Sequence, residues 1–146
     1  MRQRVFSGIQ PTAGSIHLGN YLGAVRGMLA LQDEHDCVFA VVDYHAITMP
    51  YDPARLPVRV LGVANEYLAA GLDPMKAALI VQSDLPEHVE LAWLLGVGLP
   101  VAKLEQLPNY KDKKARTGVA SVGLLCYPLL MAADILIYKA GLVPVG

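Results

Sequence analysis

Charge is scarce in this 146-residue chain: Asp, Glu, Lys and Arg make up 17% of it and nearly cancel, to a net −1. The composition therefore carries no basic footprint of the kind that marks a nucleic-acid partner. Cysteine is scarcer still. Cys37 and Cys126 lie far apart in apolar runs, without Cys-x-x-Cys spacing or a nearby His, which argues against a metal site or a disulfide and reads both as buried thiols. No charged-then-apolar leader opens the chain, so a cytoplasmic protein is expected. No repeat, low-complexity tract or linker divides it, and its length suits one domain with a real core. The uncharged run 117–133 is the single membrane candidate. It is slightly short and contains Pro128 with several Gly and Ser residues, so it reads as buried core and no membrane partner is expected.

What is abundant is apolar surface. Hydrophobic residues make up 54% of the chain, and the mean hydropathy is +0.39, high for a soluble monomer. A second subunit or further sequence is expected to cover part of it.

Strand signals occur at 5–8, 37–43, 78–82 and 142–145. These runs are continuously apolar rather than alternating, as in strands buried on both faces of a parallel sheet. Between the first two, a helix of about 16 residues is predicted from near His17, with Leu18, Leu22, Val25 and Leu29 on one stripe. Asp52-Pro53 predicts a helix start with Pro in its first turn, Gly71 its stop, and Pro57, late for a first turn, an irregular opening. Further helices are expected around 86–96, from Ala102, and over 119–134, the last broken or kinked at Pro128. The fold class is α/β: a Rossmann-like doubly wound parallel sheet in a single domain, 1–146, with a helical insertion at about 85–130. The chain stops at Gly146 directly after a predicted strand. Ligands of such folds bind at that rim, so the sheet is expected to be incomplete at its C-terminus.

Chemistry-bearing residues gather at predicted strand ends. Val5 and Phe6 give way to Gly8, Pro11 and Gly14, then to a helical pattern beginning near His17. A helix N-terminus favours anions, which suits a phosphate-bearing ligand; His17 supplies a donor, and Gly19 lets a ligand approach the backbone. Asp43, Tyr44 and His45 follow the second strand, and His45 is a candidate for a substrate carboxylate or ribose as well as for a local hydrogen bond. Asp134 is the first charge after a long apolar stretch. On pattern alone it reads first as the end of the core or a cap, and second as a site carboxylate. Lys111, Lys113, Lys114 and Arg116 form a basic cluster, which reads as a solvated helix face or as a flexible loop over phosphates. Trp93 reads as a packing or interface anchor.

Taken together, these words resemble a known family. Ser7-Gly8-Ile9-Gln10-Pro11-Thr12 with His17-Leu18-Gly19-Asn20 resembles the first signature of class I aminoacyl-tRNA synthetases, in the variant of the bacterial tryptophan branch. Asn20 departs from the final His of the wider class. Met131-Ala132-Ala133-Asp134-Ile135-Leu136 is similar to that branch's tryptophan pocket, and Asp43-Tyr44-His45-Ala46-Ile47-Thr48 to its sequence after the second strand. The resemblance spans nearly the whole chain. It implies ATP-dependent activation of L-tryptophan and transfer to tRNA(Trp), with ATP and Mg2+ required, and a homodimer formed through the insertion.

The resemblance also implies roles for individual residues. His17, Asn20 and Lys113 would be catalytic. Gln10, Pro11, Thr12, Gly19, Asn20 and Gly146 would bind ATP. Phe6, Gly8, His45, Met131, Asp134, Val143 and Val145 would form the tryptophan site, with Asp134 accepting the indole N–H. The logic of that last contact is plain: indole is donor-only and needs an acceptor. No carboxylate cluster for Mg2+ is visible, and no metal ligands are assigned. The family's lysine- and serine-rich second signature and its anticodon-binding domain are not in these residues, so weak activity of this stretch alone is expected. The rivals are a tyrosine-specific synthetase of the same fold, a nucleotidyltransferase, and a non-catalytic fragment or paralogue that binds tryptophan or ATP.

Overall fold

A computed structural model describes residues 2–12, 19, 21–118 and 120–144, with the backbone alone at 23, 24, 109, 116 and 117. Three strands, β1 (Arg4–Ile9), β2 (Asp36–Val41) and β3 (Ala77–Val81), form a parallel sheet in the order β1-β2-β3. Alternate residues of β2 enter different cores. Cys37, Phe39 and Val41 pack with Val5, Val25, Met28, Leu29, Val63 and Tyr67, whereas Val38, Ala40 and Val42 pack with Phe6, Ile135 and Tyr138. Burial on both faces is why the strand sequence is apolar at every position instead of every second one.

The segment expected as a fourth strand at 142–145 is reduced to one parallel bridge, Val5 to Leu142, among the described residues. Phe6 N–H donates to the Leu142 carbonyl at 3.1 Å, and Leu142 N–H to the Arg4 carbonyl at 3.2 Å. Pro144, two residues on, has no N–H to extend the ladder.

The connection from β1 to β2 enters a π-helical turn, Tyr21–Val25, continues as α1 (Arg26–Ala30) and closes in a 3-10 turn, Leu31–Asp33. Val25, Met28 and Leu29 are buried, but Leu22, expected on the same stripe, is 56% exposed. The wider π turn changes the angular spacing on which that stripe was predicted. Leu18 lies outside the described residues.

A short helix, α2 (Asp43–Ala46), follows β2, and α3 (Leu56–Ala69) crosses back to β3. The predicted start at Asp52-Pro53 is a separate turn, in which Asp52 Oδ1 accepts from Ala54 N–H at 3.0 Å. The helix proper begins at Leu56, so Pro57 sits in its first turn, where its missing N–H costs nothing. Gly71, at φ 108°, ends the unit as expected.

Beyond β3, a 3-10 turn (Gln82–Asp84) leads into α4 (Glu87–Val97), α5 (Val101–Glu105), α6 (Pro108–Thr117) and α7 (Val122–Ile137). The basic run 111–116 is thus helical, on α6, and not a loop. Ser121 caps α7, its Oγ accepting from Leu124 N–H at 3.0 Å. The helix then passes through Pro128 without the expected break. A Cβ at Gly96 would stand 3.0 Å from Leu129 Cδ1, so α4 packs closely on α7 beside that proline and supports the helix there. Among the described residues, no helix is long and apolar enough to cross a membrane.

Candidate active site

Three structural elements converge on one carboxylate. Asp134, on α7, is 2% exposed. Its Oδ1 accepts from Gln82 Nε2 at 2.8 Å and from His88 Nδ1 at 2.7 Å; its Oδ2 accepts from His45 Nε2 at 2.8 Å and from Gln82 Nε2 at 3.0 Å. His45 stands on α2 just past β2, Gln82 directly past β3, and His88 in the first turn of α4. Two of these positions follow strand C-termini, where α/β folds gather ligand-binding groups. Burial pushes the Asp134 carboxyl up, but the hydrogen bonds from His45 and His88, the His45 charge and the Gln82 amide outweigh it and hold it below the usual carboxylate range.

The donors are themselves held. Gln82 Oε1 accepts from Tyr44 N–H at 3.1 Å, and His88 Nε2 meets Tyr138 Oη at 2.9 Å. Tyr138 stacks on Phe6 with ring centroids 5.3 Å apart and planes 9° from parallel. The reading of Asp134 as a solvated end of the core is therefore wrong: it is a buried anionic acceptor in a fully partnered network.

A second region lies at the end of β1. Thr12 N–H donates to the Gln10 carbonyl at 2.9 Å, closing a tight turn. Gln10, Pro11, Thr12, Arg59 and Lys113 line a cavity of about 390 Å³. Lys113 Nζ lies 4.0 Å above the centroid of the Tyr127 ring, and Tyr127 in turn meets the His45 ring edge-on at 6.1 Å. The cavity at the end of β1 and the Asp134 network thus meet across one aromatic ring. At Gly8 a Cβ would stand 2.7 Å from Val42 Cγ1, so the strand end tolerates no side chain there.

The sequence-predicted residues fall into separate groups. Gln10, Pro11, Thr12 and Lys113 share the cavity. His45 and Asp134 share a hydrogen bond, and Phe6 reaches them through Tyr138 and His88. Met131 and Val143 are 42% and 41% exposed and have no part in the network. Gly19 is exposed, and His17, Asn20, Val145 and Gly146 lie outside the described residues.

Sequence reasoning missed Gln82, His88, Tyr138 and Arg59. For Gln82 a signal existed: it is the first polar residue after the apolar run of β3, in the position Asp43 occupies after β2. His88, a lone imidazole entering an apolar helix, was a weaker one. Among the described residues, no group of three or more His, Cys, Asp or Glu is arranged to hold a metal ion.

A third feature is an apolar groove of about 890 Å³ between α4, α5 and α7, lined by Trp93, Val97, Val101, Val122, Cys126 and Leu130 among others. Trp93 is 75% exposed, so it does not anchor the core of this chain.

Parallel strands, a buried polar cluster past their C-terminal ends and the helices that follow β3 make this a mixed α/β protein with a Rossmann-like fold. The family model for class I tRNA synthetases of the tryptophan and tyrosine type matches residues 1–146, and the chain belongs to that family. It is 54% identical over 147 aligned positions to tryptophan–tRNA ligase 2 of Streptomyces avermitilis, covering 99% of this chain and 44% of that protein. It is 51% identical to the chloroplastic/mitochondrial tryptophan–tRNA ligase of Arabidopsis thaliana, covering 36% of that protein. Among solved structures, tryptophanyl-tRNA synthetase from Campylobacter jejuni, complexed with ADP and tryptophan, superposes with a TM-score of 0.91 at 42% identity, over 98% of this chain and 44% of that one. The chain spans less than half the length of these relatives.

Proposed function

We propose that this chain is the tryptophan- and ATP-binding part of a tryptophan–tRNA ligase acting in the cytoplasm. The observation that carries this reading is Asp134: a buried carboxylate, kept anionic by three side-chain partners, beside the aromatic and apolar groups of α7 and β1. Such an acceptor suits a donor-only ring such as indole, and favours it over an analogue without the N–H, which gains no hydrogen bond from the carboxylate. Phe6, Gly8, His45, Met131, Val143 and Val145 complete the amino-acid side of the site in this reading.

ATP takes the other side, against Gln10, Pro11, Thr12, Gly19, Asn20 and Gly146. The tryptophan carboxylate attacks the α-phosphate, giving tryptophanyl-adenylate and releasing pyrophosphate. The tryptophanyl group then passes to the terminal adenosine of tRNA(Trp). No covalent enzyme intermediate is needed, so alignment and charge stabilisation carry the rate, a role this reading gives to His17, Asn20 and Lys113. Among the described residues, the lining of the β1 cavity includes Arg59 and Lys113 but no carboxylate, a poor donor set for a Mg2+ ion held by the protein; such an ion would enter with ATP.

The exposed groove around Trp93 is the face through which two copies pair in this reading, within a single domain whose insertion covers about 85–130. The direct test of the whole is exchange of labelled pyrophosphate into ATP by the intact protein, with tryptophan or tyrosine as substrate. Exchange that depends on tryptophan supports the reading. Exchange with tyrosine as fast, or none with either, overturns it.

A further inference from the structure

The Asp134 network contains more than an acceptor. A carboxylate offers about two lone-pair directions on each oxygen. Oδ1 is filled by Gln82 at 2.8 Å and His88 at 2.7 Å. Oδ2 holds His45 at 2.8 Å and only a second, longer approach of the same Gln82 amide at 3.0 Å. An incoming ring N–H therefore competes at Oδ2, while Oδ1 serves to hold the group. Gln82 and His88 are both 0% exposed, and each is tethered behind, Gln82 by the Tyr44 amide and His88 by the Tyr138 hydroxyl.

We propose that His88, braced by Tyr138, is a positioning residue: it orients the Asp134 carboxylate, keeps it an acceptor, and sets how strongly the pocket selects a ring that carries an N–H. The inference rests on the tryptophan reading of the same site. A buried carboxylate stripped of its partners takes up a proton, and a protonated oxygen turned toward an indole N–H meets donor with donor. With the Nδ1 hydrogen committed to Asp134, the Tyr138 hydroxyl donates to Nε2 and locks that tautomer. Burial first, then the Asp134 and Glu87 charges, push the Tyr138 hydroxyl up, so it retains the hydrogen it donates. Phe6 stacked on Tyr138 fixes the outer end of the relay.

The test compares equilibrium binding of L-tryptophan and of 3-benzothienylalanine, whose ring sulfur replaces the N–H, to the intact protein and its variants. In His88→Leu the preference for tryptophan is expected to fall by about tenfold or more, while the affinity for benzothienylalanine changes by less than about threefold. In His88→Asn, whose amide reaches the place of Nδ1, most of the preference is expected to return. Tyr138→Phe keeps the ring stacked on Phe6 and removes one oxygen; it lowers the preference several-fold, and it carries the test should the Leu variant fail to fold. Variants that weaken both ligands by the same factor, or leave the preference untouched, would reduce His88 to packing and overturn the proposal. An unaltered protein with no preference for tryptophan would overturn the tryptophan reading itself, and this inference with it, before any variant is compared.

Discussion

At the scale of the residue, the decisive balance is at Asp134. Burial pushes its carboxyl up, and its partners more than reverse that. The linkage has a definite sign. Because the folded-state pKa lies below the unfolded one, the unfolded chain binds the extra proton. The stabilisation is complete above the unfolded value and is lost as pH falls through the folded one. Denaturant unfolding of Asp134→Asn between about pH 3 and pH 7 should therefore show a flatter acid limb than the unaltered protein. Gly8 is a second residue-scale constraint. Val42 is β-branched and stiff, and the Ala40 carbonyl also stands 3.3 Å from the missing Cβ, so neither neighbour yields easily. Gly8→Ala should cost about 1–3 kcal/mol in denaturant unfolding, as overpacking does.

Legibility differed between residues for physical reasons. Asp134 stood out because a lone charge ending a long apolar run has to be partnered or solvated. Its partners did not stand out, since His88 and Gln82 lie 46 and 52 positions away and are brought together only by the crossing of α4 and α7 beside β3. Polar residues at such distances carry no local pattern that links them.

At the scale of the element, three of the four apolar runs fold as parallel strands with boundaries shifted by one or two residues, and the fourth is reduced to a single bridge at Leu142 among the described residues. Helices were less legible where their geometry departs from the regular period: the π turn at Tyr21–Val25 exposes Leu22, and α7 absorbs Pro128. The basic run on α6 held two readings, and the helical one is what folds. That helix brings Lys113 over Tyr127 and into the β1 cavity. Lys113→Ala is therefore expected to slow tryptophan-dependent pyrophosphate exchange by about a hundredfold, with little change in tryptophan affinity, as removal of one charge-stabilising donor does. A loss confined to tryptophan affinity would place the ammonium on the amino-acid side instead.

At the scale of the whole molecule, part of the exposed apolar surface gathers along the α4–α7 face, where Trp93, Leu94, Val97 and Val122 are 75%, 68%, 73% and 77% exposed. Contiguous apolar surface of this kind is the mark of an interface. If two copies cover it, Trp93→Asp should convert a dimer of the intact protein to monomer in sedimentation velocity, and leave the Asp134 site able to bind tryptophan. A dimer that survives the substitution would move the interface elsewhere.

The central claim concerns one hydrogen bond, and it can be observed directly. Tryptophan labelled with 15N at the indole nitrogen, added to unlabelled intact protein, reports only the ligand's own N–H. A bound indole proton shifted downfield and protected from exchange, and lost in Asp134→Asn, is the predicted result. A bound indole resonance that stays at its free position, or that keeps the same shift in the variant, would contradict the account.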